Sequence, residues 1–315
     1  MEKSEVITID IGASKIKFMA VNEQKELTEY SDIPDIKLTG RELKNDELIQ
    51  LLIENIKRAI EALKKEGKTA SSISIASPGP LDPIKGVILD PPNLQGIRDL
   101  AIVDELKGIF NLPVFLLNDA DAALLGELWS GAGKKFKDIV YLTLSSGVGS
   151  GMLKNGQLQP KTELGHEPMI IDDQKRSCSC GGSNHAEAYL GTTGLAETYA
   201  KIFEVKVEEM KPEDRYKVSF EMKKGVTNGD EKWLEVENQY SKHLTEVLKK
   251  IASIYEPEII VIGGGIAYRN ESLLKKTLGH LKELNIEVKI SLAELIYNVN
   301  LGAAKYALKQ LGDSK

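Results

Sequence analysis

The sequence contains two segments with the same order of features, and this repetition restricts the fold more than any other property. Each segment has an apolar run typical of a buried strand, a turn of small residues, and a second strand that leads back. The two segments are ITIDIGASKIKFMAV, from Ile7, and IVYLTLSSGVGSGML, from Ile139. The repetition predicts two related domains that face each other, each contributing a hairpin tip to one cleft.

The rest of the chain alternates strand-like runs with runs typical of amphipathic helices. The segment NDELIQLLIENIKRAIEALKKEGK, from Asn45, has apolar residues at helical spacing and reaches a glycine at Gly67, which predicts a helix and its end. Strands interleaved with helices predict an α/β fold with central sheets. We expect a smaller N-terminal domain formed by residues 1–117 with 299–315, and a larger C-terminal domain formed by residues 118–298.

Composition and charge exclude several classes of protein. The net charge of −6 over 315 residues argues against a nucleic-acid partner. No apolar run reaches the roughly 18 residues of a membrane span, so we expect no membrane partner. Two cysteines do not form a disulfide framework, and the strand-like pattern begins within the first residues, where a signal peptide would lie. We therefore expect a cytoplasmic protein.

Three turns of small residues follow predicted strands: DIGASK from Asp10, SSGVGSG from Ser145, and VIGGG ending at Gly265. Their backbone N–H groups are little shielded, so a phosphate can approach the first two and a flat nucleobase the third. Asp10 would organise Mg²⁺ there, usually through water. Each segment also has a purely structural explanation that fits equally well. The first can be a hairpin turn with a capping Asp, the second a flexible surface turn, and the third a site of tight strand–helix packing. The sequence contains neither a Rossmann nor a P-loop fingerprint.

One short stretch, SCSCGGSNHAEAY from Ser177, holds both cysteines of the chain, Cys178 and Cys180, and one of its four histidines, His185. A second histidine, His166, lies just upstream in ELGH. The clustering favours a metal site, although chance proximity of thiols and surface histidines is the alternative. The pair Asn118–Asp119 ends a predicted strand, where such a pair is by default a helix N-cap.

Taken together, and in their order along the chain, these motifs resemble those of the ROK-family sugar kinases. The family belongs to the actin-like ATPase superfamily, so the resemblance implies a ribonuclease H-like fold with the active site in the interdomain cleft. DIGASK is similar to the first phosphate motif, LNDADAALLGE to the catalytic Asp segment, LSSGVGSG to the second phosphate motif, and VIGGG to the nucleotide-side glycine motif. ELGH with CSCGGSNHAE resembles the E-x-G-H and C-x-C-G-x-x-G-C-x-E signature. The match extends from residue 5 to about residue 305.

The resemblance implies an ATP- and Mg²⁺-dependent hexose 6-phosphotransferase in which Asp119 is the general base. It places a sugar against Gly79, Asn93, Asn118, Asp119, Glu163, His166 and Glu187. It places ATP and Mg²⁺ against Asp10, Gly12, Ala13, Ser14, Lys15, Ser145, Ser146, Gly147, Gly149, Gly263, Gly264 and Gly265. Family members are usually homodimers or homotetramers, so the resemblance implies such an assembly.

The resemblance also implies a structural Zn²⁺, which the family holds with the E-x-G-H histidine and three cysteines. Here His185 stands where the third cysteine is expected, and Asn184 replaces the glycine before it. Since imidazole and thiolate are both good zinc ligands, His166, Cys178, Cys180 and His185 form a Cys₂His₂ set. We expect zinc removal to loosen the sugar site before it affects nucleotide binding.

Two alternatives to a kinase follow from the same resemblance. The family includes sugar-responsive repressors, which carry a helix-turn-helix domain before the first phosphate motif, whereas nine residues precede Asp10. A non-catalytic sugar sensor would lack the base or the metal carboxylate, and both Asp119 and Asp10 are present. Glucose is the expected substrate, since PPNL resembles the glucokinase branch. CSCG with EAY also resembles N-acetylmannosamine kinases, and N-acetylglucosamine and fructose kinases share the signature.

Overall fold

The computed structural model describes residues 3–30, 32–38, 42–159, 163–169 and 175–313. The first part of the chain forms β1 (Lys3–Ile11), β2 (Lys15–Val21), β3 (Leu27–Glu29), β4 (Ile36–Lys37), α1 (Asn45–Lys65), β5 (Lys68–Ser77), β6 (Leu81–Asp82), β7 (Val87–Ile88), α2 (Ile102–Phe110), β8 (Val114–Asn118) and α3 (Asp119–Ser130). The rest forms β9 (Ile139–Leu144), β10 (Val148–Lys154), β11 (Gln157–Leu158), a 3₁₀ turn (Leu164–His166), α4 (Ala186–Leu190), α5 (Thr192–Phe203), a 3₁₀ turn (Val207–Glu209), α6 (Pro212–Thr227), α7 (Glu231–Tyr255), β12 (Ile259–Gly263), α8 (Gly265–Arg269), α9 (Glu271–Glu283), β13 (Ile290–Leu292) and α10 (Asn298–Asp313).

The chain forms two compact units. The first unit comprises Met1–Lys134 with Glu294–Lys315, and the second comprises Lys135–Ala293. In the first unit the main sheet has the order β3-β2-β1-β5-β8, with β4 also paired to β2. The strands β1 and β2 form an antiparallel hairpin, while β1, β5 and β8 are parallel. The apolar face of α1, which includes Leu52 and Ile56, is buried in the core with β1 and β5.

The second unit repeats this arrangement with different residues. Its sheet has the order β11-β10-β9-β12-β13, in which β9 and β10 form the antiparallel hairpin and β9, β12 and β13 are parallel. The helix α7, with Tyr240 and Leu248 completely buried, packs in the core of this unit. The strand–turn–strand repetition in the sequence therefore corresponds to the same strand order in two separate sheets.

The limits of the units differ from the predicted domain boundaries at 117/118 and 298/299. The helix α3 belongs to the first unit because it packs against α10, which also contacts β1 and β5. Glu127 of α3 is completely buried, and its carboxylate accepts hydrogen bonds from the backbone N–H groups of Ala132, Glu294 and Leu295 at 2.9–3.1 Å. These bonds hold the segment before α10 against α3, and sequence periodicity carries no signal for them.

Among the described residues, none of the helices combines the length and the apolar character needed to cross a bilayer.

Candidate active site and metal centre

The carboxyl ends of three parallel strands bring several predicted site residues to one edge of the first unit's sheet. Asp10, near the end of β1, lies opposite Ala76 of β5, and the final residue of β8, Asn118, lies opposite Ser77. Gly79 follows β5, and a Cβ atom at this position would lie 3.6 Å from Asn118 Nδ2. Because parallel strands all end at the same edge, residues separated by about 40 and 70 positions in sequence meet there.

Asn118 and Asp119 form the start of α3. The side-chain oxygen of Asn118 accepts hydrogen bonds from the N–H groups of Ala120 and Asp121, at 2.9 and 3.3 Å, so Asn118 is the N-cap. The N-cap interpretation is thus right for Asn118. It leaves Asp119 in the first helical position, partly exposed, with Oδ1 2.8 Å from the backbone nitrogen of Ala120. A carboxylate at this end of a helix lies in the favourable field of the helix dipole.

Asp10 has an unusual electrostatic environment. Burial raises the pKa of its carboxyl group to about 7, and the negative charge of Asp119 contributes to the rise, while Lys15 opposes it. The amine of Lys15 forms an ion pair with Asp35, with an N–O distance of 2.5 Å. Two carboxylates close enough to raise the pKa of one of them are a suitable donor set for a divalent cation such as Mg²⁺, since the cation removes their repulsion.

The turn between β1 and β2 is closed by a hydrogen bond from the N–H of Gly12 to the carbonyl oxygen of Lys15, 2.9 Å long. Ala13 and Ser14 are exposed at its tip. Ala13 and Asn93 line the same small pocket, whose other walls are Gln95 and apolar side chains such as Leu38 and Leu94. The first unit thus places Asn93 next to the first small-residue turn.

The second unit has its own pair of small-residue segments at the carboxyl ends of β9 and β12. In the Ser145–Gly147 turn, the N–H of Ser145 donates to the carbonyl oxygen of Gly147 over 3.0 Å. The chain leaves β12 at Gly263, which lies opposite Thr143 of β9. Both segments therefore lie at one edge of this sheet, with Gly149 close by in β10.

Close packing explains the glycine that follows β12. Gly264 has a φ angle of +90°, in the region that favours glycine, and a Cβ atom there would lie 2.4 Å from the carbonyl oxygen of Leu144. A Cβ atom on Gly265 would lie 2.6 Å from the guanidinium of Arg269. Tight strand–helix packing, the alternative considered for this motif, is therefore sufficient reason for Gly264, and a nucleobase contact stays a prediction.

The four predicted zinc ligands converge. The ligand atoms of His166, Cys178, Cys180 and His185 all lie within 4.8 Å of one another. His166 Nδ1 lies 3.5 Å from the Cys178 sulfur, and His185 Nδ1 lies 3.2 Å from the Cys180 sulfur. In a tetrahedral zinc site, bonds of about 2.0–2.3 Å place the ligand atoms roughly 3.3–3.8 Å apart. The donor set and its spacing thus fit zinc.

The cluster is held by a loop that we call the metal loop, residues 176–185. Within it the N–H of Cys178 donates to the carbonyl oxygen of Gly182, at 2.9 Å, and Asn184 and Arg176 exchange hydrogen bonds. Burial raises the pKa of the Cys178 thiol to about 12, so a metal ion must displace its proton to bind it as a thiolate. The Arg176 guanidinium is buried, lies 4.7 Å from the centre of the Tyr189 ring and donates to Gly194 of α5.

Three predicted sugar contacts lie around this loop. Glu163 is exposed, directly before the 3₁₀ turn that ends at His166. Glu187 lies in the first turn of α4, and its carboxylate accepts hydrogen bonds from the N–H of Val148 and the hydroxyl of Ser179. A carboxylate has about four lone-pair sites, so these bonds leave acceptor capacity for a sugar hydroxyl.

Sequence reasoning missed several residues that shape the second unit's site. Thr192 donates through its N–H and its hydroxyl to the carbonyl oxygen of Ser145, at 3.1 and 2.9 Å. Ser179 and Val148 are the partners of Glu187. The local signal for Thr192 was the G-T-T-G pattern from Gly191, which is typical of a helix start but does not indicate which carbonyl oxygen the threonine reaches.

Comparison with known proteins identifies relatives over most of the chain. A glucokinase of Thermotoga maritima is 28% identical over 282 residues, which cover 87% of this chain and 86% of that protein. A xylose repressor of Caldicellulosiruptor bescii is 27% identical over 287 residues, covering 86% of this chain and 68% of the repressor. The relatives thus include a kinase and a repressor.

The fold matches a solved structure, the ROK hexokinase from Thermus thermophilus, with a TM-score of 0.77 and 26% identity over 98% of this chain and 99% of that one. This match confirms the expected α/β fold of the actin-like ATPase superfamily. The model of the ROK family matches residues 6–294. With a family match over most of its length, the chain belongs to the ROK family.

Proposed function

We propose that this protein is an ATP-dependent sugar kinase that transfers the γ-phosphate to the 6-hydroxyl of a hexose, with glucose as the first candidate. The observation that carries the proposal is the sheet edge of the first unit, where Asp119 follows the Asn118 cap at the end of β8 and Asp10 lies near the end of β1, with β5 between the two strands. Family membership and the names of a glucokinase relative and a hexokinase structure support it.

Asp119 is assigned the role of general base. Its carboxylate would accept a hydrogen bond from the attacking sugar hydroxyl, orient it, and take its proton as the new P–O bond forms. Asn118 and Gly79, which lie side by side, and Asn93 would hold the sugar in the first unit. Glu163, His166 and Glu187 would supply hydroxyl contacts from the second unit.

Asp10 is assigned to the metal that accompanies the nucleotide. A bound Mg²⁺ would neutralise charge on the phosphate oxygens during transfer. The Gly12–Lys15 and Ser145–Gly149 segments would offer backbone N–H groups to the phosphates, and Gly263–Gly265 would lie against the base. Four ligands at zinc-like spacing support a structural zinc in the second unit.

The choice of sugar rests on sequence motifs. PPNL around Asn93 resembles the glucokinase branch, while CSCG with Glu187-Ala188-Tyr189 also resembles N-acetylmannosamine kinases. N-Acetylmannosamine is therefore the second candidate. A sugar-binding regulator, suggested by the xylose repressor relative, is less well supported because both carboxylates that the chemistry needs are present at one sheet edge.

The test is sugar-dependent ADP release with Mg·ATP, using glucose, mannose, fructose, N-acetylglucosamine and N-acetylmannosamine. One sugar should exceed the others in kcat/KM, and Asp119→Ala should lower kcat by at least about a thousandfold while sugar affinity stays within about tenfold. Asp104→Ala, which removes an exposed carboxylate from the first turn of α2, should behave as the wild type.

A retained kcat in Asp119→Ala would remove this residue from the role of base. No turnover with any sugar, from folded protein that still binds a sugar by calorimetry, would favour the regulator over the kinase.

A further inference from the structure

The carboxylate of Glu187 joins two segments of the second unit that are far apart in sequence. Its Oε2 atom accepts a hydrogen bond from the N–H of Val148, 3.1 Å away, directly after the Ser145–Gly147 turn. Its Oε1 atom accepts one from the Ser179 hydroxyl and lies 3.6 Å from the Cys178 sulfur. One oxygen therefore contacts the metal loop and the other contacts the small-residue turn.

The turn is shaped to accept this carboxylate. A Cβ atom on Gly147 would lie 2.3 Å from Glu187 Oε2, so any side chain at this position would displace it. The other end of the short helix α4 reaches the same turn, since Thr192, just after it, donates to the carbonyl oxygens of Ser145 and Ser146 at 3.1 and 3.2 Å. A movement of α4 would thus be transmitted to the turn at both ends of the helix.

The metal loop contacts the Oε1 atom of Glu187. Ser179 lies between Cys178 and Cys180, whose sulfur atoms belong to the four-ligand cluster. A cation held by both sulfurs would restrict the backbone that carries the Ser179 hydroxyl, and with it the Oε1 atom of Glu187. Without the cation, the exposed Cys180 and Ser179 would be held only by hydrogen bonds, including the one from the Ser179 hydroxyl to Glu187.

We propose that Glu187 is a positioning residue that couples metal binding at the cluster to the conformation of the Ser145–Gly147 turn. The consequence for nucleotide affinity rests on the proposed kinase function, in which this turn contacts phosphate. Metal removal would then weaken nucleotide binding as well as sugar binding, which differs from the expectation drawn from sequence.

Hydrogen exchange tests the coupling without reference to the function. Peptides covering residues 145–152 would be followed by mass spectrometry in zinc-loaded and zinc-stripped protein. We expect exchange at the Val148 amide to rise about tenfold or more on stripping. In Glu187→Gln, which has one acceptor oxygen instead of two, zinc should change this exchange by about twofold or less. Equal exchange in loaded and stripped wild type, or protein that takes up no zinc, would overturn the coupling.

Two further variants separate coupling from general damage. Ser179→Ala removes the hydroxyl contact on the metal side and leaves the Cys178 sulfur 3.6 Å from Glu187 Oε1. The exchange at Val148 should then lose much of its response to zinc although the cluster keeps all four ligands. Ser183→Ala changes the same loop at a residue that is not a partner of Glu187, and it should respond to zinc as the wild type does. A full response in Ser179→Ala, or a lost response in Ser183→Ala, would contradict the assignment to Glu187.

Calorimetry with MgADP then tests the functional consequence. Stripping zinc should raise the Kd for MgADP about tenfold in the wild type and about twofold or less in Glu187→Gln. If MgADP binds to neither form, the proposed kinase function fails, while the exchange data still decide the coupling. If MgADP binds equally well with and without zinc, the link between the turn and nucleotide affinity is wrong.

Discussion

At the scale of single residues, the carboxylates of the two units are held in different ways. Asp10 is half-buried near Asp119 and has a raised pKa, so the folded protein must overcome a cost to keep it ionised. Glu127 is also buried, but three backbone N–H groups donate to it. Glu187 divides its two oxygens between separate loops. The same functional group is thus a destabilised charge, a structural acceptor or a link between two loops, according to its partners.

The first residue-scale prediction concerns Asp10→Asn in protein without nucleotide or Mg²⁺. The pKa of Asp10 is about 7 in the folded protein and 3.8 in the unfolded protein. Between pH 3.8 and pH 7 the folded state therefore binds a proton that the unfolded state has lost, so the stability of the wild type falls as the pH rises through this range. With about 1.4 kcal/mol for each pKa unit, the variant should be more stable by on the order of 2–4 kcal/mol at pH 8. The gain should shrink toward pH 4, as measured by urea unfolding.

Asp35→Asn is the matched control, and its expected effect on stability at pH 8 has the opposite sign. Burial opposes ionisation of Asp35, but hydrogen bonds from Lys15 and Lys17 outweigh it and lower its pKa. Its contribution is therefore present at neutral pH and is lost as pH falls through its folded pKa, so Asp35→Asn should reduce stability at pH 8. If the wild type and Asp10→Asn were equally stable at pH 8, ionised Asp10 would not destabilise the folded protein.

At the scale of elements, the packing of α3 against α10 defines the first unit. The two helices approach so closely that a Cβ atom on Gly302 would lie 1.7 Å from the carbonyl oxygen of Ala122, and one on Gly126 would lie 2.0 Å from that of Asn298. The atoms that an added Cβ would meet belong to the backbone of the other helix, so a rearrangement of side chains cannot make space for it. This contact holds the helix that carries Asp119 against the sheet edge.

The element-scale prediction is that Gly302→Ala destabilises the protein by about 2 kcal/mol or more, since α3 and α10 must separate to admit the methyl group. Gly312→Ala, in the same helix with nothing within 4 Å of the added carbon, should be neutral or stabilising by up to about 1 kcal/mol through helix propensity. Thermal unfolding of both variants measures the difference. Equal melting temperatures would show that the contact can relax.

At the scale of the whole molecule, two units with the same strand order carry different additions. The first unit has the carboxylates and α3, and the second has the metal loop, with α4 and α5, beside its own small-residue turn. We therefore expect that mutations at the four-ligand cluster and mutations at the first unit's carboxylates have independent effects.

The molecular-scale prediction is that Cys178→Ser loses zinc and stability together, because bound metal contributes to the folding free energy. Zinc content by atomic absorption should fall to well below one per chain, and the melting temperature should drop by about 5 °C or more. His185→Cys, which restores the thiol expected at that position, should keep its zinc. A Cys178→Ser protein with full zinc and unchanged stability would show that the cluster is not the metal site.

The sequence by itself determined the features that depend on near neighbours. The repeated strand–turn–strand segments, the α1 periodicity and the crowding of Cys178, Cys180 and His185 are all local patterns, and the strands and the converging cluster were found where these patterns lie. Because side chains within a few positions share one strand or helix face, such patterns can be interpreted without a fold.

Only the tertiary structure decided the contacts between distant segments. Val148 and Glu187 are 39 positions apart, and Glu127 and Leu295 are 168 apart, so no periodicity links them. The same holds for the limits of the units, since the close approach of α3 to α10 depends on the shape of two packed surfaces. The physical reason is that hydrogen bonding and packing act on distance in space, which the chain establishes only when its sheets and helices have assembled.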